Sequence, residues 1–167
     1  MTTMTTNTAS FTPTRIGAVD FVNLTPHNIV FRDEQGADHT IPPSGQVARI
    51  GTTTVPSHID SLRLFSRVDA EHPTGWQQFA IWVQTAQAAN PESRIVGIVS
   101  GMFLDGLRQP QPCIDDELVR WLLHHLVSPL TDGTAIRDDK GHIVAVRGFR
   151  TEVLPWEFRH IGLAPAV

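Results

Sequence analysis

Residues 21–51 constrain the fold more strongly than any other stretch of the 167-residue chain. Apolar and β-branched segments alternate there with turn-forming residues, which are Pro26, the run 33–36 and the run 42–45. Proline removes a backbone hydrogen-bond donor, and the glycines that end both runs can adopt a positive φ. The pattern therefore predicts a β-meander, with a first strand kinked at Pro26, a hairpin over 29–41 and a third strand at 47–50.

Other segments also have the composition of strands. Residues 62–68 alternate between apolar and polar with a period of two, which is typical of a half-buried strand. Residues 95–99 form a nearly continuous apolar run and predict a central strand. Residues 52–56 predict a linker. Residues 134–147 predict a second hairpin whose turn repeats the Arg-Asp-acidic-polar-Gly pattern of the first, which we interpret as shared turn chemistry rather than a structural repeat.

Helical periodicity occurs in two places. Apolar residues between 76 and 86 recur on one helical face, and Thr74 followed by Gln77 has the spacing of a capping box. The second helix, predicted over 115–127, begins with acidic residues that favour the positive end of the helix dipole. One of its faces is apolar, and we expect Trp121 and His125 at the rim of the opposite, solvated face.

Together these elements predict an α+β fold: a single domain over residues 15–167, with an antiparallel-rich β-sheet of hairpins and meander and about two helices packed on it. The chain is long enough to bury a core of its own without disulfides or metals. Residues 1–14 are rich in threonine and predict a disordered tail, or alternatively an arm that becomes ordered against a partner subunit.

The composition limits the classes of partner. The net charge of −4 and the pI near 6.0 argue against a protein that binds long nucleic acids, because such binding requires clustered lysines and arginines. The sequence has no apolar span of membrane-crossing length and no signal peptide, and its single cysteine, Cys113, leaves no internal disulfide. These features predict a cytoplasmic protein without a membrane partner.

The loop around Pro26 carries the densest group of side chains that could bind a ligand. It offers amide, hydroxyl and imidazole groups beside a rigid proline, which limits the entropy lost on fixing them. An arginine elsewhere in the chain could act as an anion clamp. The predicted ligand-binding residues are Asn23, Thr25, His27, Asn28, Arg49 and Arg137. The alternative is that these loop residues satisfy local backbone groups and that His27 plugs a sheet edge.

Known catalytic and metal-binding motifs are missing from the sequence. The eight histidines lack metal-ligand spacing, and adjacent His124 and His125 point about 100° apart on a helix. There is no glycine-rich phosphate loop and no hydrolase nucleophile elbow. Cys113 precedes acidic residues that oppose a lowered thiol pKa, so we expect it to be inert. We therefore predict no metal and no cofactor, assign no catalytic residue, and favour a role other than an enzyme.

Three blocks of the sequence resemble a family of small proteins found in phages and bacterial genomes. The blocks are VNLTPHNIVFRDEQGADHTIPPSGQVARI, IVGIVSG and DGTAIRDDKGHIVAVRGF. They match the family's pattern of N-L-T-P-H-x-[IV], then P-P-S-G-x-x-A-R, then R-D-x-x-G-x-[IV], while the segments 52–94 and 115–127 depart from it. The resemblance implies a phage or prophage protein in the host cytosol, where small proteins without catalytic motifs often bind host components or signal molecules.

Three functional hypotheses follow. The first is a binding protein that sequesters a small polar or nucleotide-like ligand of the host. The second is a phage structural or protein-interaction accessory that uses a sheet edge or a helix face and could form a homo-oligomer. The third is a small enzyme in which His27 acts as a general base. A cavity beside His27 favours the first or third hypothesis, whereas a His27 sealed in apolar packing favours the second.

Overall fold

The computed structural model describes residues 10–51, 53–59, 62–68, 73–110 and 114–151. Three helices and eleven strands lie in these ranges, and the fold class is α+β, as the sequence predicts. The strands are β1 (Thr14–Ile16), β2 (Val19–Asn23), β3 (Ile29–Arg32), β4 (Asp38–Ile41), β5 (Thr53–Ile59), β6 (Leu62–Val68), β7 (Ile95–Ile98), β8 (Leu126–Pro129), β9 (Ile136–Arg137), β10 (Ile143–Ala145) and β11 (Phe149–Arg150). The helices are α1 (Gln77–Ala89), α2 (Gly101–Leu107) and α3 (Asp116–His125).

The main sheet has five strands in the order β1-β2-β7-β8-β11. Its three central strands are parallel, with Phe21 of β2 opposite Val96 of β7 and Gly97 of β7 opposite Leu126 of β8. Both edge strands are antiparallel to their neighbours. Parallel neighbours need long crossover connections, and the segments that contain α1 and α2–α3 provide them. Antiparallel pairs still dominate the described strands, because the three other sheets are two-stranded antiparallel hairpins.

The two faces of the main sheet carry separate apolar clusters. Alternate residues of β2 point to opposite faces, so that Val22 packs with the helices whereas Phe21 packs on the other side. All three helices contribute to the first cluster, through residues such as Phe79, Phe103 and Leu122. The second cluster lies under the β3–β4 hairpin and includes Ile41. The structure therefore has three helices where the sequence predicted about two, because α2 was not recognised as a helix.

The predicted meander is only partly formed. The β3–β4 hairpin lies where it was expected, but residues 47–50 are not a third strand. Arg49 instead makes an isolated antiparallel bridge with Thr74. Thr74 does not cap α1, because it lies two residues before the N-cap, which is Trp76 without a side-chain hydrogen bond. The predicted linker at 52–56 was wrong as well, since β5 starts at Thr53 and pairs with β6.

Helix α3 begins as predicted and ends earlier. Its N-cap is Asp115, whose carboxylate accepts a hydrogen bond of 2.9 Å from the amide of Leu118. The helix stops at His125, and the following residues form β8, which pairs with β7. The predicted extension to Val127 was therefore wrong. The apolar residues 126 and 127 fit both a helical arc and a buried strand, so their hydrophobicity alone could not distinguish the two.

His125 is buried rather than at the rim of α3. Only 7% of the residue is exposed, and its ring stacks on Trp121 with centroids 4.2 Å apart. Its Nδ1 lies 2.9 Å from the carbonyl oxygen of Trp121, and its Nε2 lies 3.2 Å from the side-chain nitrogen of Gln87 on α1. Burial lowers the pKa of His125, because the charged imidazolium is poorly solvated there. The neutral ring therefore ties α3 to α1.

Residues 10–14 belong to the segment predicted to be a disordered tail, and the structure describes them. Phe11 is buried, and its ring lies 5.4 Å from that of Trp82 and 6.3 Å from that of Phe79. Strand β1 then begins at Thr14. Residues 1–9 and Cys113 lie outside the described residues. Among the helices in the described part of the chain, none is long and apolar enough to span a membrane.

The two hairpins with the repeated pattern use the same turn. Asp33 accepts hydrogen bonds from the amides of residues 35 and 37, and Asp138 accepts them from those of residues 140 and 142. The hydrogen bond with the His39 ring and then the amide hydrogen bonds lower the pKa of Asp33, and the hydrogen bond from the His142 amide is the main cause that lowers the pKa of Asp138. The glycine that closes each turn has a positive φ, which is 87° for Gly36 and 82° for Gly141. The shared motif is therefore accounted for by the turn itself.

Candidate functional site

A crevice of about 670 Å³ opens at the carboxyl ends of the three parallel strands. It is lined by residues 25–27 and 29 after β2, 100–101 after β7, 128–132 at the end of β8 and beyond, and 150 in β11. The carboxyl ends of parallel strands meet at one edge of a sheet, so the loops that follow them converge there. In open sheets that contain parallel strands, this edge is where ligands commonly bind. The crevice therefore brings together four segments that are distant in sequence.

Asn23 holds the loop between β2 and β3 in shape. The residue is 1% exposed, and its amide nitrogen donates to the carbonyl oxygens of His27 at 2.7 Å and Ile41 at 3.0 Å. Its side-chain oxygen accepts hydrogen bonds from the backbone amide and the hydroxyl of Thr25, at 2.9 and 2.7 Å. All four interactions are internal to the protein. Asn23 thus positions the loop, and it does not line the crevice.

The other predicted loop residues have different surroundings. Thr25 and His27 both line the crevice. The Thr25 side chain is largely buried and bonded to Asn23, whereas His27 is exposed. Asn28 is also exposed, but it lines a shallower depression of about 220 Å³ beside β10. His27 is therefore accessible to a ligand, and it is not sealed in apolar packing.

The two predicted arginines lie outside the crevice. Arg49 lines a smaller side cavity of about 250 Å³, which shares Thr25, Pro26 and Ser100 with the crevice. Arg137 lines neither the crevice nor the side cavity. Its guanidinium donates to the carbonyl oxygens of Gly141 at 2.8 Å and Thr131 at 3.4 Å. Arg137 therefore links the β9–β10 hairpin to Thr131, one of the residues that line the crevice.

Sequence analysis did not identify Ser100, Ser128 and Arg150. Arg150 donates to the carboxylate of Asp105 at 2.9 Å and to the carbonyl oxygen of Gly101 at 3.2 Å, which connects β11 to α2. Ser100 and Ser128 each follow a short apolar run, in the sequences IVGIVS and LVS. If residues 126–128 had been interpreted as a strand parallel to 95–98, the two serines would have been predicted at the same sheet edge.

Ser128 is the most deeply buried hydroxyl of the crevice. It is 2% exposed, yet it lines the cavity. Across residues 10–51, 53–59, 62–68, 73–110 and 114–151, no hydrogen bond joins its hydroxyl to another residue. Its oxygen is not one of the buried, unsatisfied side-chain atoms of the described residues, so the hydroxyl reaches the cavity and can hydrogen-bond to a ligand or to water there.

The crevice has no assembled acid–base pair in the described part of the chain. Asp132 lines it, but its carboxylate accepts hydrogen bonds from the Thr134 amide at 2.9 Å and the Thr134 hydroxyl at 2.6 Å. These bonds lower the pKa of Asp132 and favour its charged form. No hydrogen bond links the His27 ring to a carboxylate among the described residues. The same residues contain no cluster of three or more histidine, cysteine or acidic groups that could hold a metal ion.

No protein-family model matches the chain, and no curated protein or solved structure is significantly similar to it. The resemblance of the three sequence blocks to small phage and bacterial proteins therefore stays a prediction. The crevice and its lining side chains are the basis for a proposed function.

Proposed function

We propose that this protein binds a small polar, nucleotide-like ligand in the crevice at the carboxyl ends of β2, β7 and β8. The observation that carries the proposal is the convergence of four chain segments on a cavity of about 670 Å³ at this edge of the sheet. That volume lies within the range of about 300–1,000 Å³ that is common for small-molecule sites. Pro26, Ile29 and Leu130 supply apolar walls suited to the face of a flat ring.

Several polar side chains reach the crevice from separate loops. The hydroxyls of Ser100 and Ser128 and the ring of His27 come from different loops and can address separate polar atoms of one ligand. The Ser100 side chain accepts a hydrogen bond from the Phe103 amide, which sets its orientation. A mainly apolar pocket with a few positioned polar groups is the usual design of a specific small-molecule site.

The same geometry favours binding over catalysis. A general base needs a group that orients it and a reacting atom within hydrogen-bond reach. His27 is exposed and has no carboxylate partner among the described residues, and Asp132 is occupied by Thr134. A small enzyme with His27 as general base is therefore the weaker proposal.

The biological setting is part of the proposal. If the chain belongs with the phage and bacterial proteins that its sequence blocks resemble, it would act in the host cytosol by sequestering a host metabolite or signal. Sequestration requires only binding, and this agrees with the missing catalytic motifs. The protein-interaction hypothesis has one observation in its favour, the exposed apolar residues Ile143 and Val144 on β10.

Replacing Ser128 tests the binding proposal. The four ribonucleosides and their 5′-monophosphates are titrated into the protein in a calorimeter, and we expect at least one to bind. Ser128→Ala should weaken that binding roughly tenfold, because one buried hydrogen bond to the ligand is lost. Ser93→Ala is the matched control, since Ser93 precedes β7 at the opposite, amino end of the strand.

Two results would count against the proposal. If none of the eight compounds binds, a nucleotide-like ligand is ruled out as the occupant. If a compound binds with the same affinity to the Ser128→Ala and Ser93→Ala variants, the ligand lies outside the crevice.

A further inference from the structure

The crevice and the side cavity at Arg49 adjoin each other. They share Thr25, Pro26 and Ser100, so these three residues form the ridge between the two spaces. The crevice has about 670 Å³ and the side cavity about 250 Å³. A ligand that crosses the ridge would place its larger part in the crevice and a smaller group in the side cavity.

The side cavity offers one cationic side chain, Arg49, among mostly apolar neighbours. Arg49 is an exposed residue of its lining, and in the described part of the chain the lining contains no acidic residue. The backbone of Arg49 is fixed on both sides, because its amide donates to Thr74 at 3.0 Å and its carbonyl oxygen accepts from Thr74 at 2.8 Å. The arginine therefore projects from a held segment rather than from a free loop.

Arg49 differs from the other arginines near this edge in its contacts. Arg32 is bound by the Asp38 carboxylate through two hydrogen bonds of 2.6 and 2.8 Å, and Arg150 donates to Asp105 at 2.9 Å. Arg137 donates to backbone carbonyls. The guanidinium of Arg49 makes no hydrogen bond and no ion pair with any residue in the described ranges. Its donors remain available for an anion, and a guanidinium matches the geometry of a phosphate.

We infer that the ligand has two parts, a nucleoside-like body in the crevice and a phosphate group that crosses the Thr25–Pro26 ridge to Arg49. This inference rests on the proposed function, since it names the class of ligand for the same site. The apolar walls and hydroxyls of the crevice suit a base and a sugar, whereas the side cavity offers the Arg49 cation and the Ser100 hydroxyl. Nucleoside 5′-monophosphates have this chemistry.

The test compares each nucleoside with its own 5′-monophosphate by calorimetry at low salt. For the base that binds best, we expect the monophosphate to bind at least tenfold more tightly than the nucleoside, because charge-assisted hydrogen bonds to phosphate are added. Arg49→Gln should remove most of this preference and leave the affinity for the nucleoside unchanged. Arg120→Gln, on the exposed face of α3, is the matched control and should keep the preference.

The outcomes separate the inference from the proposed function. If a nucleoside and its monophosphate bind equally and Arg49→Gln changes neither, the function stands and the phosphate assignment is overturned. If Arg49→Gln weakens both compounds equally, Arg49 contacts the body of the ligand, and the assignment is again overturned. Failure of all eight compounds to bind overturns the proposed function itself. Should Arg49→Gln fail to fold, Arg49→Lys replaces it and should retain only part of the preference, whereas an unchanged preference would contradict a phosphate contact that depends on the guanidinium geometry.

Discussion

At the scale of single residues, the polar loop after β2 divides into structural and accessible positions. Asn23 satisfies four backbone and side-chain groups inside the protein, whereas His27, four residues later, is exposed at the crevice. The sequence places these residue types together but does not show which side chain turns inward. That choice depends on Ile41, a residue of another strand whose carbonyl oxygen Asn23 binds.

This division predicts opposite effects of two alanine substitutions. Asn23→Ala should lower the free energy of unfolding by about 3 kcal/mol, because the buried carbonyl oxygen of Ile41 loses its donor, that of His27 loses one of two, and the groups of Thr25 lose their acceptor. His27→Ala should change it by less than about 1 kcal/mol, since the residue is exposed. Urea unfolding of both variants measures the difference. A large loss in His27→Ala, or a silent Asn23→Ala, would contradict the assignment of the two roles.

At the scale of elements, the contact between α3 and α1 depends on a neutral histidine. The Nδ1–H of His125 donates to the Trp121 carbonyl oxygen, which leaves its Nε2 to accept a hydrogen bond from the Gln87 amide. This arrangement needs one tautomer of the uncharged ring. Protonation of Nε2 would set two hydrogen-bond donors, this nitrogen and the Gln87 amide nitrogen, against each other. It would also place a positive charge in a buried site.

The pH dependence of stability tests this contact. Because the folded pKa of His125 lies below the ordinary value of 6.5, the unfolded chain binds the proton more tightly. The stabilisation is therefore present above pH 6.5 and is lost as the pH falls from 6.5 towards the lower folded pKa. His125→Gln does not titrate, so the stability advantage of the native protein over this variant should shrink between pH 7.5 and pH 5. Urea midpoints of both proteins across this range provide the measurement, and an advantage that is independent of pH would contradict the account.

Hydrophobic periodicity predicted most of the elements but not how they are joined. Three kinds of element could be recognised because each depends on local residues: the apolar run of β7, the helical face of α1, and the turns at 33–36 and 138–141. Leu126 and Val127 were assigned to α3 because a buried strand and the end of an amphipathic helix have the same composition. Once β8 is missed, its parallel pairing with β7 is missed too.

At the scale of the whole molecule, this pairing creates the candidate site. The crevice exists because β2, β7 and β8 run in the same direction and release their loops at one edge. Thr25 and His27 could be predicted from the composition of their loop. Ser100, Ser128 and Arg150 could not, because each is an ordinary residue locally and gains significance only from neighbours that are distant in sequence.

The most direct test of the central claim is to locate a bound nucleotide on the protein. Backbone amide resonances are recorded by NMR while the tightest-binding 5′-monophosphate is added. We expect the largest shifts at residues 25–27, 29, 100–101 and 128–132, which line the crevice, and small shifts at the amino ends of the strands. Shifts that cluster instead on the exposed side of β10, around Ile143 and Val144, would contradict the account and favour an interaction surface there.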